Sequence, residues 1–102
     1  MHNRKRKRQL GRSLTLTRHS RRRSQQRGIP DRGVELAYRY GDVFYVGDGR
    51  MAYFLSDRSI ARVRKPPTDL RHYRRVAVIT EERALVTCFK TDRPLKHWRS
   101  AR

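Results

Sequence analysis

Residues 42–55 read DVFYVGDGRMAYFL, and the architecture of the whole chain hangs on them. Two apolar, aromatic-rich runs flank Asp48-Gly49. A two-residue hairpin turn needs positive φ at its centre, which Asp-Gly adopts at low cost. The stretch is therefore read as a β-hairpin. Its turn pairs Gly47 with Arg50, Val46 with Met51, Tyr45 with Ala52 and Phe44 with Tyr53. One face then holds Phe44, Val46, Met51 and Tyr53, and the other Val43, Tyr45, Ala52 and Phe54. Both faces are apolar or aromatic. One is expected against helices, and the other as a partly exposed platform for bases or a partner.

A second hairpin follows. RVAVIT (75–80) reads as a third strand, Glu81-Glu82-Arg83 as a short turn, and ALVTCFK (84–90) as a fourth strand. Between the hairpins, Ser56 or Asp57 caps a short helix with Ile60 and Val63 buried. Lys65-Pro66-Pro67 ends it, because the residue before proline avoids helical backbone. Leu70 and Tyr73 return the chain to the core.

On the N-terminal side, Val34, Ala37 and Tyr38 recur at helical spacing, with Leu36 and Tyr40 as a second pair. They predict a helix over 32–40, capped by Asp31 after Pro30 and closed by Gly41, with Glu35 and Arg39 as a solvent-side ion pair. An earlier helix is expected over 17–27. Thr17 is its N-cap, SLTL (13–16) a short extended lead-in, Gly28 its left-handed stop and Ile29 an apolar anchor. The sum is an α+β domain, with two N-terminal helices packed on a four-stranded antiparallel sheet. The domain is placed at 13–92, after a disordered basic arm (1–12) and before a basic C-terminal tail (93–102) that carries His97 and Trp98.

The chain has 102 residues, enough for one domain. Its formal charge is +18, from 27 Lys and Arg against 9 Asp and Glu. Residues 1–30 hold 11 of the cations and no acid. Such a balance implies a polyanionic partner, most simply nucleic acid, or an acidic protein that masks the surface. Arginine outnumbers lysine 22 to 5, which suits bidentate phosphate contact, although a GC-rich coding bias also favours arginine. Cys88 is the single cysteine, so no intrachain disulfide forms, and its apolar strand context predicts a buried, inert thiol. No apolar run reaches membrane-span length and no signal-peptide core follows the basic start, so a cytoplasmic protein with no membrane partner is expected.

The chemistry is concentrated near the N-terminus. In TRHSRRRSQQRGI (17–29), His19 falls in the first helical turn, where the helix dipole favours neutral imidazole. At ~100° per residue, Arg23 lies ~40° and Arg27 ~80° from His19 around the axis. One face thus carries a titratable nitrogen and two fixed cations. Arg22 and the arm residues Arg4, Lys5, Arg6, Lys7 and Arg8 add phosphate-binding charge. The nine acids are scattered, nucleophilic triads and phosphate loops are absent, and no Cys/His metal spacing exists. No metal or other cofactor is expected. Metal-free RNA cleavage fits what remains. RNA supplies its own 2′-hydroxyl nucleophile, so the protein needs a base, an acid and cations on the phosphate.

Thr17, His19, Arg23 and Gln26-Arg27-Gly28-Ile29 resemble the signature Ser/Thr-x-His-Ala-x-x-Arg-Met-x-x-Arg-Gly-Ile, with Ser20 in place of Ala and Ser24 in place of Met. That signature marks a bacterial family of small domains of unknown function, related to the barnase/EndoU/colicin/RelE-like toxin nucleases. TCFK (87–90) is similar to the family's closing strand, Ile-Thr-Val-Tyr-Arg. The resemblance implies a RelE/barnase-like fold and a metal-independent endoribonuclease of toxin type. It also implies a site on the first helix and the closing strand, with His19, Arg27 and Thr87 catalytic and Arg23 on the phosphate. Lys90 stands where the family has Arg and is read as a further phosphate ligand. Implied partners are RNA, free or on the ribosome, and an acidic antitoxin or immunity protein. The alternatives are a non-catalytic RNA- or ribosome-binding protein, or an adaptor for an acidic protein.

Each residue also has a plainer reading. His19 fits a helix cap, Arg27 a partner for last-turn carbonyls or Asp31, and Thr87 an ordinary β-branched strand residue. Tyr53 suits the core or the platform better than catalysis. His2, His72 and His97 have no constellation around them.

Overall fold

The computed structural model describes residues 28–101. Its elements are α1 (Asp31–Tyr40), β1 (Asp42–Gly47), β2 (Arg50–Phe54), α2 (Asp57–Arg62), a 3₁₀ turn (Leu70–Tyr73), β3 (Val76–Glu81), β4 (Ala84–Lys90) and β5 (Arg99–Ser100). The strands form one antiparallel sheet in the order β4-β3-β2-β1-β5. The domain is α+β, as the alternation of patterns requires. The sheet has five strands where four were expected. The fifth comes from the stretch read as a basic tail. The helix expected over 17–27 and the arm over 1–12 lie outside the described residues, but the junction that follows them does not. Gly28 has φ +73°, the left-handed conformation assigned to it, and Ile29 is buried to 1% exposure in the core.

The Asp48-Gly49 turn forms with φ of +54° and +75°, the sign pattern of a type I′ turn. The register beyond it differs from the reading. Gly47 pairs with Arg50, but the next pair is Tyr45 with Met51, followed by Phe44 with Ala52 and Val43 with Tyr53. A bulge at Val46, beside Gly47 at φ +92°, inserts one unpaired residue. Because side chains alternate with period two, that one residue exchanges the face partners along the rest of the strand. Phe44 thus joins Ala52 and Phe54, while Tyr45 joins Met51 and Tyr53.

Each face of the sheet has its own apolar cluster. On the α1 side, Val34 and Ala37 pack with Ile29, Leu55, Val76, Val78, Leu85 and Cys88. On the opposite side, Ala52, Phe54, Ala77 and Ile79 pack with Trp98. Trp98 packs on that face, while Phe44, Val46, Val86 and Phe89 around it stay half-buried. Trp98 lies 5.7 Å from Phe44 and 6.3 Å from Phe89, and only 8% of it is exposed.

Three local expectations are also corrected. Asp31 is the first residue of α1, not its cap; Pro30 holds that place, and its carbonyl accepts from the N–H groups of Gly33 and Val34. Glu35 and Arg39 form no ion pair with each other. Ser56 does cap α2, accepting from Ser59 N–H at 3.0 Å, but the buried residue of that helix is Ser59; Ile60 and Val63 are only half-buried.

Candidate nucleic-acid interface

Over residues 28–101 there are 15 Lys and Arg and 9 Asp and Glu. Five of the acids are answered by arginine: Asp42 by Arg62, Asp57 by Arg74, Asp69 by Arg71, Glu81 by Arg50 and Asp92 by Arg75. Exposed pairs of this kind add little stability, and each balances one carboxylate with one guanidinium at the surface. The other ten Lys and Arg are exposed and make no ion pair among the described residues. The cationic excess is therefore displayed rather than consumed inside the fold.

Two concave places collect part of that charge. The first is a groove of about 310 Å³ between β1, β5 and α2, lined by Asp42, Phe44, Arg58, Arg62 and Ser100 among others. Arg58 and Arg62 are four residues apart on α2, so they rise from one side of the helix. Asp42 is fully engaged, with one oxygen accepting from Ser56 Oγ at 2.7 Å and the other from Arg62. Burial by itself would raise the Asp42 carboxyl. The hydrogen bonds from Ser56 and Arg62, with the charges of Arg62 and Arg58, outweigh it and hold the group below the usual carboxylate value. Two guanidiniums against one fixed carboxylate leave the groove with net positive charge.

The second is an open cleft of about 460 Å³ lined by Arg75, Lys90, Thr91 and Asp92. Arg75 has φ +71°, uncommon for a residue with a side chain. Both of its backbone groups are used: its N–H donates to Leu55 O at 2.7 Å, and its carbonyl accepts from Thr91 N–H at 2.9 Å. These bonds hold the strained residue between β2 and β4, where it stands beside Lys90.

Of the eleven residues assigned from sequence, nine lie outside the described residues: His19, Arg27, Arg22, Arg23, Arg4, Lys5, Arg6, Lys7 and Arg8. The structure locates Thr87 and Lys90. Thr87 pairs with Ile79, and Lys90 pairs with Val76. Directly paired residues share a face, so Thr87 lies on the Trp98 side and Lys90 on the α1 side. The β4 bulge lies at Val86, ahead of both, so it does not bring them together. Tyr53, assigned from sequence to the core or the platform, sits edge-on to Tyr38 with ring centres 4.7 Å apart. Burial raises its phenol and the proximity of Tyr38 raises it further. Tyr53 is thus a neutral phenol in the α1-side core at neutral pH.

Arg58, Arg62 and Arg75 were not singled out from sequence. The spacing of Arg58 and Arg62 after a Ser56 cap was a usable signal, whereas the position of Arg75 depends on how the start of β3 is held between the ends of β2 and β4. Among the described residues no three His, Cys, Asp or Glu side chains gather as a metal site, and no helix is long and apolar enough to cross a membrane. Compared with protein families, curated proteins and solved structures, the chain matches none.

Proposed function

We propose that this protein is a metal-independent endoribonuclease of toxin type on a RelE/barnase-like domain, acting on RNA in the cytoplasm. The observation that carries the reading is the charge distribution. Among the described residues arginines answer five carboxylates and ten further cations stand exposed, and the sequence of residues 1–27 adds eleven cations with no acid. A polyphosphate chain is the simplest partner for such a surface. RNA also brings the 2′-hydroxyl nucleophile that the chain does not otherwise provide.

In this reading His19 moves the proton, Arg23 and Arg27 hold the scissile phosphate, and Thr87 donates a hydrogen bond. Arg22, Lys90 and residues 4–8 track neighbouring phosphates. The backbone at Gly28 and the burial of Ile29 support it, since the Arg-Gly-Ile end of the signature asks for that turn and that anchor. A toxin this basic is expected to be neutralised by an acidic antitoxin or immunity protein.

A second reading, a non-catalytic RNA- or ribosome-binding protein, is favoured by the separation of Thr87 and Lys90 onto opposite faces. Incubation with total RNA in EDTA tests the two. Discrete fragments ending in 2′,3′-cyclic phosphate support the nuclease. Retention of intact RNA supports the binder.

A further inference from the structure

β5 is only two residues long, yet its position is tightly fixed. Trp98, immediately before it, is buried between Phe44 and Phe89 on one face of the sheet. Alternation then sends Arg99 to the other face and Ser100 back again. The register agrees: Ser100 pairs with Phe44, and Arg99 pairs with Tyr45. Tyr45 pairs on its other side with Met51. Arg99, Tyr45 and Met51 therefore form a cross-strand row, with directly opposed Cβ atoms about 4.5–5.5 Å apart.

This row lies on the face that α1 covers, where α1 packs mainly over β3 and β2. Tyr45 is 55% exposed, more than any other large hydrophobic side chain described. Arg99 is exposed and makes no ion pair among the described residues. Tyr45 thus has Met51 as its strand neighbour on one side and the exposed Arg99 on the other.

We propose that Tyr45 and Arg99 form a stacking platform for an unpaired base of single-stranded RNA, with Arg99 beside the base or on its phosphate. Aromatic rings stack bases of any sequence, and a neighbouring guanidinium adds cation–π and phosphate contact. A duplex keeps its bases stacked on each other and offers none to Tyr45, so the platform selects single strands. The positive charge of the chain favours RNA over an apolar protein surface as the occupant. The inference rests on the RNA-binding reading above and adds to it the strandedness of the ligand.

The test measures binding of the full chain to a 20-nucleotide unstructured RNA, to the corresponding RNA duplex, and to inorganic polyphosphate. Tyr45→Ala is expected to weaken single-strand binding by about 5- to 150-fold and to leave duplex and polyphosphate binding unchanged. Tyr45→Phe is expected to retain single-strand binding, because the ring face and not the hydroxyl carries the contact. Emission from Trp98, the single tryptophan, checks that β5 stays docked in each variant. Equal single-strand affinity for Tyr45→Ala and the parent overturns the platform while leaving RNA binding intact. An equal loss for all three ligands also overturns it. If the parent binds polyphosphate and neither RNA, the RNA reading itself fails and the platform with it.

Discussion

Asp42 at the start of β1 ties that strand to α2 through both carboxylate oxygens, one held by Ser56 at 2.7 Å and the other by Arg62. The contact joins the first hairpin to the helix that follows it and orients one of the two groove arginines. Its carboxyl titrates below the ordinary ~3.9, so its stabilisation is complete above that pH and is lost as pH falls through the lower folded-state value. Asp42→Asn is expected to cost about 1 kcal/mol at neutral pH, since Arg62 is half exposed and partly screened. Thermal melts of both proteins from pH 7 down to pH 3 check this. The gap between the melting temperatures should narrow at the acid end, and a constant gap would locate the effect elsewhere.

Gly41 and Gly49 matter for different reasons. Gly49 lies at φ +75° with open space around it, so Gly49→Val suffers from backbone conformation, at about 1–3 kcal/mol. A Cβ on Gly41 would stand 2.6 Å from Ala37 O and 2.9 Å from Phe54 backbone atoms. Gly41→Ala must then push α1 away from β2, and a loss of about 2–3 kcal/mol is expected. Urea unfolding of both variants measures the two costs. Gly49→Ala should stay close to Gly49→Val, whereas any side chain at Gly41 should be worse than Ala.

Trp98 makes the C-terminal stretch part of the fold. Trp98→Ala, or truncation before Leu95, is expected to cost about 3 kcal/mol, because it uncovers Phe44, Ala52 and Phe54 together. A dispensable tail would instead leave the urea midpoint unchanged.

The hairpins, the Asp48-Gly49 turn, the bounds of β4 and the Gly28-Ile29 junction were legible because each has a local cause: turn chemistry, alternation or a stop residue. The bulges at Val46 and Val86 were not, because they are set by how β1 pairs with β2 and β3 with β4. Missing the first of them put Tyr45 opposite Ala52 instead of Met51 and hid the row with Arg99. β5 escaped for a related reason. A two-residue strand has no period, and only the burial of Trp98 gives it a place. Of the candidate site, Thr87 and Lys90 could be located, and their separation follows from the same pairing.

Binding should be dominated by phosphate contacts. If about six phosphates of single-stranded RNA are neutralised, log K should fall with log salt at a slope near −4. Deleting residues 1–12, which hold Arg4, Lys5, Arg6, Lys7, Arg8 and Arg12, should make the slope shallower without changing the melting temperature. Filter binding across a salt series measures the slope. An unaltered slope would exclude the arm from the interface.

The central claim is that His19 moves a proton during RNA cleavage, and single-turnover cleavage of RNA in EDTA by the parent and His19→Ala tests it most directly. His19→Ala is expected to lower the rate about 10²–10⁴-fold with RNA affinity nearly unchanged, because one neutral imidazole adds little to a charge of +18. The limb of the parent pH–rate profile near or below ~6.5 should disappear in the variant. Equal rates for the two proteins, or no cleavage by the parent with or without ribosomes, would contradict proton transfer by His19.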